Sequence, residues 1–243
     1  AAHVWPEDVG VQGRLAALWE ARGPSTGSGN VLRELWEAGV VFFKVFTCTT
    51  HGVQALLPGP LLAFMEQLES FAGLCLVHCE DESITGENEK RLRATGRVDP
   101  GTLLEWRTRE AEQVAGTTAA LLARWTGART IIAHASHPAI AAIARRERVV
   151  GARLWVETCP QYLYLTEDEV HEHDAFRKFT PPARSAEEGE GLWRALAEGL
   201  VTHVSTDHAP STRAQKQDGD IWACPFGLPG VQTTLTMLLE GVN

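Results

Sequence analysis

The feature that most constrains this chain is a regular alternation of short apolar segments with longer amphipathic ones, starting near residue 31. The apolar segments read as strands at residues 40–46, 73–78, 130–134, 153–157 and 201–207. Strands that are apolar on both faces are usually covered on both sides, as in parallel sheets. Repeated alternation of such strands with helices therefore predicts an α/β fold with a parallel sheet.

The segments between the strands carry helix signals. Residues 110–125 place apolar side chains, including Val114 and Trp125, on one helical face, and Gly127 stands where a C-cap belongs. Residues 185–188 (SAEE) form a capping box that opens another helix, and Pro229 is expected to start a last helix.

Five strands can be recognised, fewer than a closed barrel of eight requires. Residues 1–30 contain the loop-like stretch 23–30 (GPSTGSGN) and no strand signal, so this segment is left unassigned. Two further polar stretches, residues 83–101 and 211–221, are predicted to be surface loops.

The amino-acid composition excludes some classes of binding partner. A net charge of −9, with 22 basic and 31 acidic residues, argues against nucleic acid or an anionic membrane. No apolar run reaches the roughly 18 residues of a membrane span, and no signal peptide is recognisable. The cysteines are odd in number, five, and lack C-x-x-C spacing, which predicts reduced, mostly buried thiols in a cytoplasmic protein.

Polar residues interrupt or end four of the apolar strands: Lys44, His78, His134 and Asp207. The carboxyl ends of parallel barrel strands meet on one face, so these side chains are expected to converge. Two imidazoles, a carboxylate and a lysine suit a metal such as zinc if the lysine is modified. Taken singly, each residue also has a structural explanation, such as a hydrogen-bonding histidine, a turn aspartate or an ion-paired lysine.

At these positions the chain resembles the cyclic amidohydrolases, which include dihydroorotases, allantoinases and hydantoinases (dihydropyrimidinases). The similarity extends from about Asn30 to Asn243. Its motifs are FKVF at 43–46, VHCED at 77–81, AHAS at 133–136, ETCPQYL at 157–163, FTPPAR at 179–184, STDHAP at 205–210 and FGLPGV at 226–231. The resemblance implies that residues 31–243 form the central and C-terminal part of a (β/α)8 TIM-type hydrolase barrel, incomplete at its N-terminus.

The resemblance also implies a two-metal site for the ring-opening hydrolysis of a small cyclic amide. Lys44 would be carboxylated and would bridge two divalent ions, zinc foremost, with cobalt, iron or manganese as alternatives. His78 and His134 would hold one ion, and Asp207 would bind the other and act as general base and acid. The loop at Thr180 would bind substrate, and the protein would form a dimer or tetramer.

One departure from the family pattern concerns a His-x-His motif that supplies two further metal ligands. His3 is the sole histidine before Lys44, and residues 171–173 (HEH), which have the spacing, lie in a polar segment typical of solvated surface. Either these ligands precede Ala1, or this form is inactive. The first is favoured because an inactive site has no physical need to keep the four strand-end residues together.

The substrate branch stays open. Thr49 stands where hydantoinases commonly have a tyrosine, Asp81 and the segment 225–230 (PFGLPG) resemble dihydroorotases, and residues 157–162 (ETCPQY) resemble allantoinases. Dihydroorotase-like and allantoinase-like activities are therefore favoured over a hydantoinase. Two rivals from other classes remain: a non-catalytic dihydropyrimidinase-related binding protein, and a different α/β enzyme with a mononuclear site.

Overall fold

The computed structural model describes residues 28–172, 174–217 and 219–242. Most of the unassigned segment 1–30, with His3, lies outside these residues, as does His173. The strands are β1 (Phe43–Phe46), β2 (Leu74–His78), β3 (Arg129–Ile132), β4 (Leu154–Thr158) and β5 (His203–Val204). The helices before β3 are α1 (Ser28–Glu37), α2 (Pro58–Glu69), α3 (Glu82–Ala94), α4 (Thr102–Trp106) and α5 (Arg109–Thr126). Those after β3 are α6 (Pro138–Val149), α7 (Pro160–Tyr164), α8 (Glu167–Glu172), α9 (Ala186–Ala197), α10 (Arg213–Lys216) and α11 (Thr234–Gly241), with a 3-10 helix at Asp174–Arg177.

The strands form one parallel sheet in the order β1-β2-β3-β4-β5, so each strand pairs with the next one along the chain. Helices cover the outside of the sheet and contact one another in sequence, α1 with α2, α2 with α5, α5 with α6, and α6 with α9. This arrangement confirms the predicted α/β class and the five strands. It also brings the carboxyl ends of all five strands to one edge.

The hydrophobic core lies between the sheet and these helices. Fully buried aliphatic side chains from α2, such as Leu68, and from α6, such as Ile140, pack in one cluster with Ile132 and Val156 of the central strands. All five cysteines are buried and unpaired, as expected for small core residues. Among the described residues, no helix combines the length and apolar character needed to cross a membrane.

Two strands are shorter than the sequence suggested. Residues 40–42 precede β1 instead of extending it, and Val41 is 63% exposed, because pairing with β2 begins only at Phe43, opposite Cys75. β5 covers only His203–Val204, although Ser205 N–H still donates to the Thr158 carbonyl at 3.0 Å. The chain then leaves the sheet before Asp207.

The prediction of a loop over residues 83–101 is wrong, because α3 occupies most of it. α3 is exposed on most of its surface, with Thr85 and Leu92 as its buried residues, so the sequence has no apolar stripe to reveal it. Its start is fixed by Asp81, whose side chain accepts a hydrogen bond from the Ile84 N–H. The second expected loop, residues 211–221, likewise contains a short helix, α10.

The helix predictions are mostly confirmed, with two corrections. Gly127 ends α5 in the left-handed region (φ +74°), and Ser185 opens α9 with a complete capping box. However, the buried face of α5 consists largely of alanines, and the expected core residues Val114 and Trp125 are 45% and 65% exposed.

The last helix also begins later than predicted, at Thr234 and not at Pro229. The N–H groups of Gly230 and Val231 instead donate to His208 Nδ1, at 2.9 and 3.2 Å, and hold this stretch as a loop.

Candidate metal centre

The four strand-end residues lie on, or just after, strands of the parallel sheet. Lys44 is on β1, His78 is the last residue of β2, and His134 and Asp207 follow just beyond β3 and β5. Both His134 and Asp207 have left-handed backbones, with φ +38° and +42°. Side chains with a Cβ seldom adopt this conformation, and such strain is concentrated at functional sites, where surrounding structure enforces it.

The two imidazoles face each other. His78 Nδ1 and His134 Nε2 are 3.0 Å apart, and both side chains are almost fully buried. Burial lowers the pKa of His78, and it lowers that of His134 to about 4, helped by the positive charges nearby. Both rings are therefore neutral near pH 7, which is the form that binds a metal ion.

Lys44 and Asp207 form the second pair. Lys44 Nζ lies 3.8 Å from Asp207 Oδ1, with the side chains 30% and 33% exposed, and 5.2 Å from the Phe46 ring centroid. Burial alone would raise the pKa of the Asp207 carboxyl, but His134 and Lys44 outweigh it and keep this pKa below its usual value. The carboxylate is thus held in its ionised form while remaining partly exposed.

The four residues belong to one electrostatic environment. The charges of Lys44 and Asp207 act on His134 with opposite sign, and both histidines act on Asp207. The Phe46 ring, 5.2 Å from Lys44 Nζ and 5.1 Å from the His78 ring, lies between the two pairs, so the structure brings together the four side chains that the sequence singled out.

A buried ionic layer, formed by Glu80, Thr180 and Arg107, contacts His78 on the side away from His134, and the sequence did not predict it. Glu80 is fully buried, and its Oε2 accepts hydrogen bonds from His78 Nε2 at 2.7 Å and the Thr180 hydroxyl at 2.7 Å. Arg107 completes the layer with an ion pair to the same oxygen at 3.3 Å. Burial opposes ionisation of Glu80, but Arg107 and His78 prevail and lower its pKa to about 2. The signal for Glu80 was present in the motif at 77–81.

Thr180, predicted to bind substrate, uses its hydroxyl inward, toward Glu80, and is 5% exposed. Its side chain thus ties the loop that begins at Phe179 to the layer behind His78. The role of this loop in substrate binding stays a prediction.

Cys48, His78 and Glu80 also have potential ligand atoms within 4.8 Å of one another. Arg107 lies against this group, 3.0 Å from Cys48 Sγ and 3.3 Å from Glu80. A guanidinium already supplies the positive charge there, and burial raises the pKa of the Cys48 thiol above its usual range, which disfavours the thiolate that would ligate. We therefore assign this group to the support of His78 and not to metal binding.

The donor set fits a metal ion between the imidazoles. Two neutral ring nitrogens, His78 Nδ1 and His134 Nε2, converge, and the ionised Asp207 carboxylate lies close enough for the two histidines to act on it. Nothing in the described ranges supplies the His-x-His pair, since His171 is an exposed residue of α8 and His3 and His173 lie outside those ranges.

Comparison with known proteins places these observations in a family. No family model matches the chain. An allantoinase of Solibacter usitatus is 37% identical over 227 residues, which are 92% of this chain and 49% of the relative. A dihydroorotase of Halobacterium salinarum is 39% identical across 100% of this chain and 53% of its own length.

A solved L-hydantoinase (dihydropyrimidinase) from Arthrobacter aurescens superimposes with a TM-score of 0.84 and 29% identity, covering 89% of this chain and 49% of that one. The chain thus spans about half the length of the curated relatives it matches. Its sheet and helices are the corresponding part of a TIM-type barrel, which agrees with the predicted fold. By sequence and by fold, the chain belongs to the cyclic amidohydrolase family.

Proposed function

We propose that this chain carries a metal centre for the hydrolytic opening of a cyclic amide. The observation that supports this most is the convergence of His78 Nδ1 and His134 Nε2, 3.0 Å apart, beside the Lys44–Asp207 pair. Relatives named allantoinase, dihydroorotase and L-hydantoinase share a ring-opening chemistry on C–N bonds, which favours the same reaction class here.

In this proposal His78 and His134 would hold one divalent ion and Asp207 a second. Lys44, carboxylated on its amine, would supply an anionic ligand to both. Imidazole and carboxylate ligands suit zinc, and cobalt, iron or manganese would also be accommodated. When bound, such an ion pair lowers the pKa of a bound water and polarises a carbonyl.

The chain's own residues then move the proton. Asp207, ionised and 33% exposed, accepts the proton of the attacking water and returns it to the ring nitrogen as the C–N bond breaks. Just after the left-handed Asp207, the chain is held by a bridge between His208 and Leu228, in which the Ala209 N–H donates to the Leu228 carbonyl at 2.9 Å. The segment at Thr180 is fixed from behind by Glu80 and offers its backbone to the substrate ring.

Sequence identity favours a dihydroorotase-like or an allantoinase-like substrate, since the dihydroorotase described above is 39% identical and the allantoinase 37% identical. A hydantoinase-like substrate ranks third, because Thr49 replaces the tyrosine common in that branch. The Thr49 hydroxyl instead donates to Glu82 Oε1 at 2.7 Å and so faces α3.

The test is a metal analysis followed by an assay of the zinc-loaded protein against dihydroorotate, allantoin, dihydrouracil and hydantoin. Ring opening of at least one substrate by the wild type, and its loss in Asp207→Asn, is the expected result. Bound metal without hydrolysis of any substrate would contradict the catalytic proposal. Failure to bind any divalent metal would favour a non-catalytic relative.

A further inference from the structure

Glu80 joins three separate parts of the structure through a single oxygen. It follows β2, has no exposed surface, and receives hydrogen bonds at Oε2 from His78, from Thr180 in the loop after the 3-10 helix, and from Arg107 after α4. These three donors, two of which come from segments distant in sequence, leave this oxygen little freedom to move. Glu80 is therefore a fixed acceptor directly behind His78.

A fixed hydrogen-bond acceptor determines which imidazole nitrogen carries the proton and which one has a lone pair available. When His78 Nε2 donates its hydrogen to Glu80 at 2.7 Å, the proton of the neutral ring is on Nε2, and the lone pair is on Nδ1. Nδ1 is also the atom that faces His134, at 3.0 Å. The hydrogen bond from His78 Nε2 to Glu80 thus leaves the Nδ1 lone pair available toward His134.

We propose that Glu80 is a positioning residue that sets the tautomer and orientation of His78 for metal binding, and that Arg107 holds Glu80 in place. This inference rests on the proposed function, because it takes His78 as a metal ligand. Metal-bound histidines commonly give their second ring N–H to a carboxylate, and loss of that partner weakens metal binding.

Arg107 is suited to its part because it is itself immobile. Its side chain is 1% exposed, and its guanidinium carbon lies 4.3 Å from the Trp106 ring centroid and 5.5 Å from that of Phe226. It also donates to Cys48 Sγ at 3.0 Å. An unpaired buried carboxylate would be costly, so this ion pair keeps Glu80 ionised and oriented.

The competing explanation is that Glu80 only neutralises Arg107 and has no bearing on the metal. The chain offers a control in Glu147, a carboxylate that is 19% exposed and pairs with Arg124 at 2.7 Å. This pair joins the C-terminal parts of α5 and α6, at the end of the sheet opposite the strand-end residues. Its neutralisation removes a carboxylate charge paired with an arginine and leaves the surroundings of His78 and His134 untouched.

The experiment measures Zn²⁺ affinity by competition with a chromophoric chelator, at fixed pH and with bicarbonate present, on the folded wild type, Glu80→Gln and Glu147→Gln. We expect Glu80→Gln to weaken zinc binding about 10- to 100-fold, and Glu147→Gln to leave it unchanged. Equal zinc affinity in the wild type and folded Glu80→Gln would overturn the positioning role alone. A wild type that binds no zinc would overturn the metal centre and the positioning role with it.

If Glu80→Gln does not fold, the double variant Glu80→Gln with Arg107→Met removes the stranded guanidinium and permits the same measurement. The expected loss of zinc affinity is again about 10- to 100-fold. Wild-type affinity in that double variant would refute the role of Glu80.

Discussion

Arg184 offers the sharpest test of how the loop after β3 is held. Its side chain is 1% exposed and donates to Ser136 Oγ at 2.8 Å, to the Arg107 carbonyl at 2.8 Å and to Glu112 Oε2 at 3.1 Å. These contacts connect the loop that follows His134 to α5 and to the segment after Thr180. Replacement by methionine keeps much of the volume and removes every donor.

Arg184→Met would leave the carboxylate of Glu112 buried without its guanidinium. Breaking a buried ion pair from one side costs about 3–5 kcal/mol. Domains of this kind have a total unfolding free energy of roughly 5–15 kcal/mol, so the loss would be a large part of it. The assay is urea unfolding followed by circular dichroism, analysed for the midpoint and slope of the transition.

Arg177→Met is the matched control, because Arg177 pairs with Glu169 at 2.9 Å where the side chains are 29% and 26% exposed. A partly exposed pair of this kind contributes only about 0–1 kcal/mol. If Arg184→Met cost no more than Arg177→Met, the buried network would not stabilise this loop in the way its contacts indicate.

Three further predictions concern the site and the stability of α9. Asp207→Asn should lower kcat on the preferred substrate by at least about 10²-fold while the circular dichroism spectrum stays that of the wild type; unchanged kcat would exclude Asp207 as the proton acceptor. Ser185→Ala should cost about 1 kcal/mol of unfolding free energy, since it removes the hydroxyl that accepts the Glu188 N–H; an unchanged urea midpoint would show that the cap contributes nothing. Burial opposes ionisation of Glu188, but Arg109 lowers its pKa to about 2, below its ordinary 4.5, so its contribution to stability is complete above pH 4.5 and is lost as the pH falls toward 2. Thermal unfolding should therefore show a steeper acid loss for the wild type than for Glu188→Gln, and parallel curves would contradict this.

The sequence was most informative where polar residues interrupt buried strands. Lys44, His78 and His134 could be placed together from sequence because parallel strands of known order align their carboxyl ends. Asp207 was also anticipated, although its strand is much shorter than the apolar run suggested. The capping box at Ser185 and the C-cap at Gly127 were readable for a similar reason, since both are local patterns with fixed spacing.

What the sequence did not reveal depends on contacts between distant segments or on surface exposure. The meeting of Glu80 with Arg107 and Thr180 requires three segments to pack at one point, and no local pattern encodes that. α3 was missed because a helix exposed on most sides has no apolar periodicity. The start of α11 was misplaced at Pro229 because His208 captures the N–H groups of the following residues, a contact from another loop.

The central claim is that Lys44, His78, His134 and Asp207 surround bound metal. The most direct measurement is anomalous diffraction from crystals of the zinc-loaded protein, recorded above and below the zinc absorption edge. We expect an anomalous peak within bonding distance of His78 Nδ1 and His134 Nε2, about 2.0–2.1 Å from each nitrogen, with Lys44 and Asp207 adjoining it. A peak between Cys48, His78 Nε2 and Glu80, or one remote from both imidazoles, would contradict the claim.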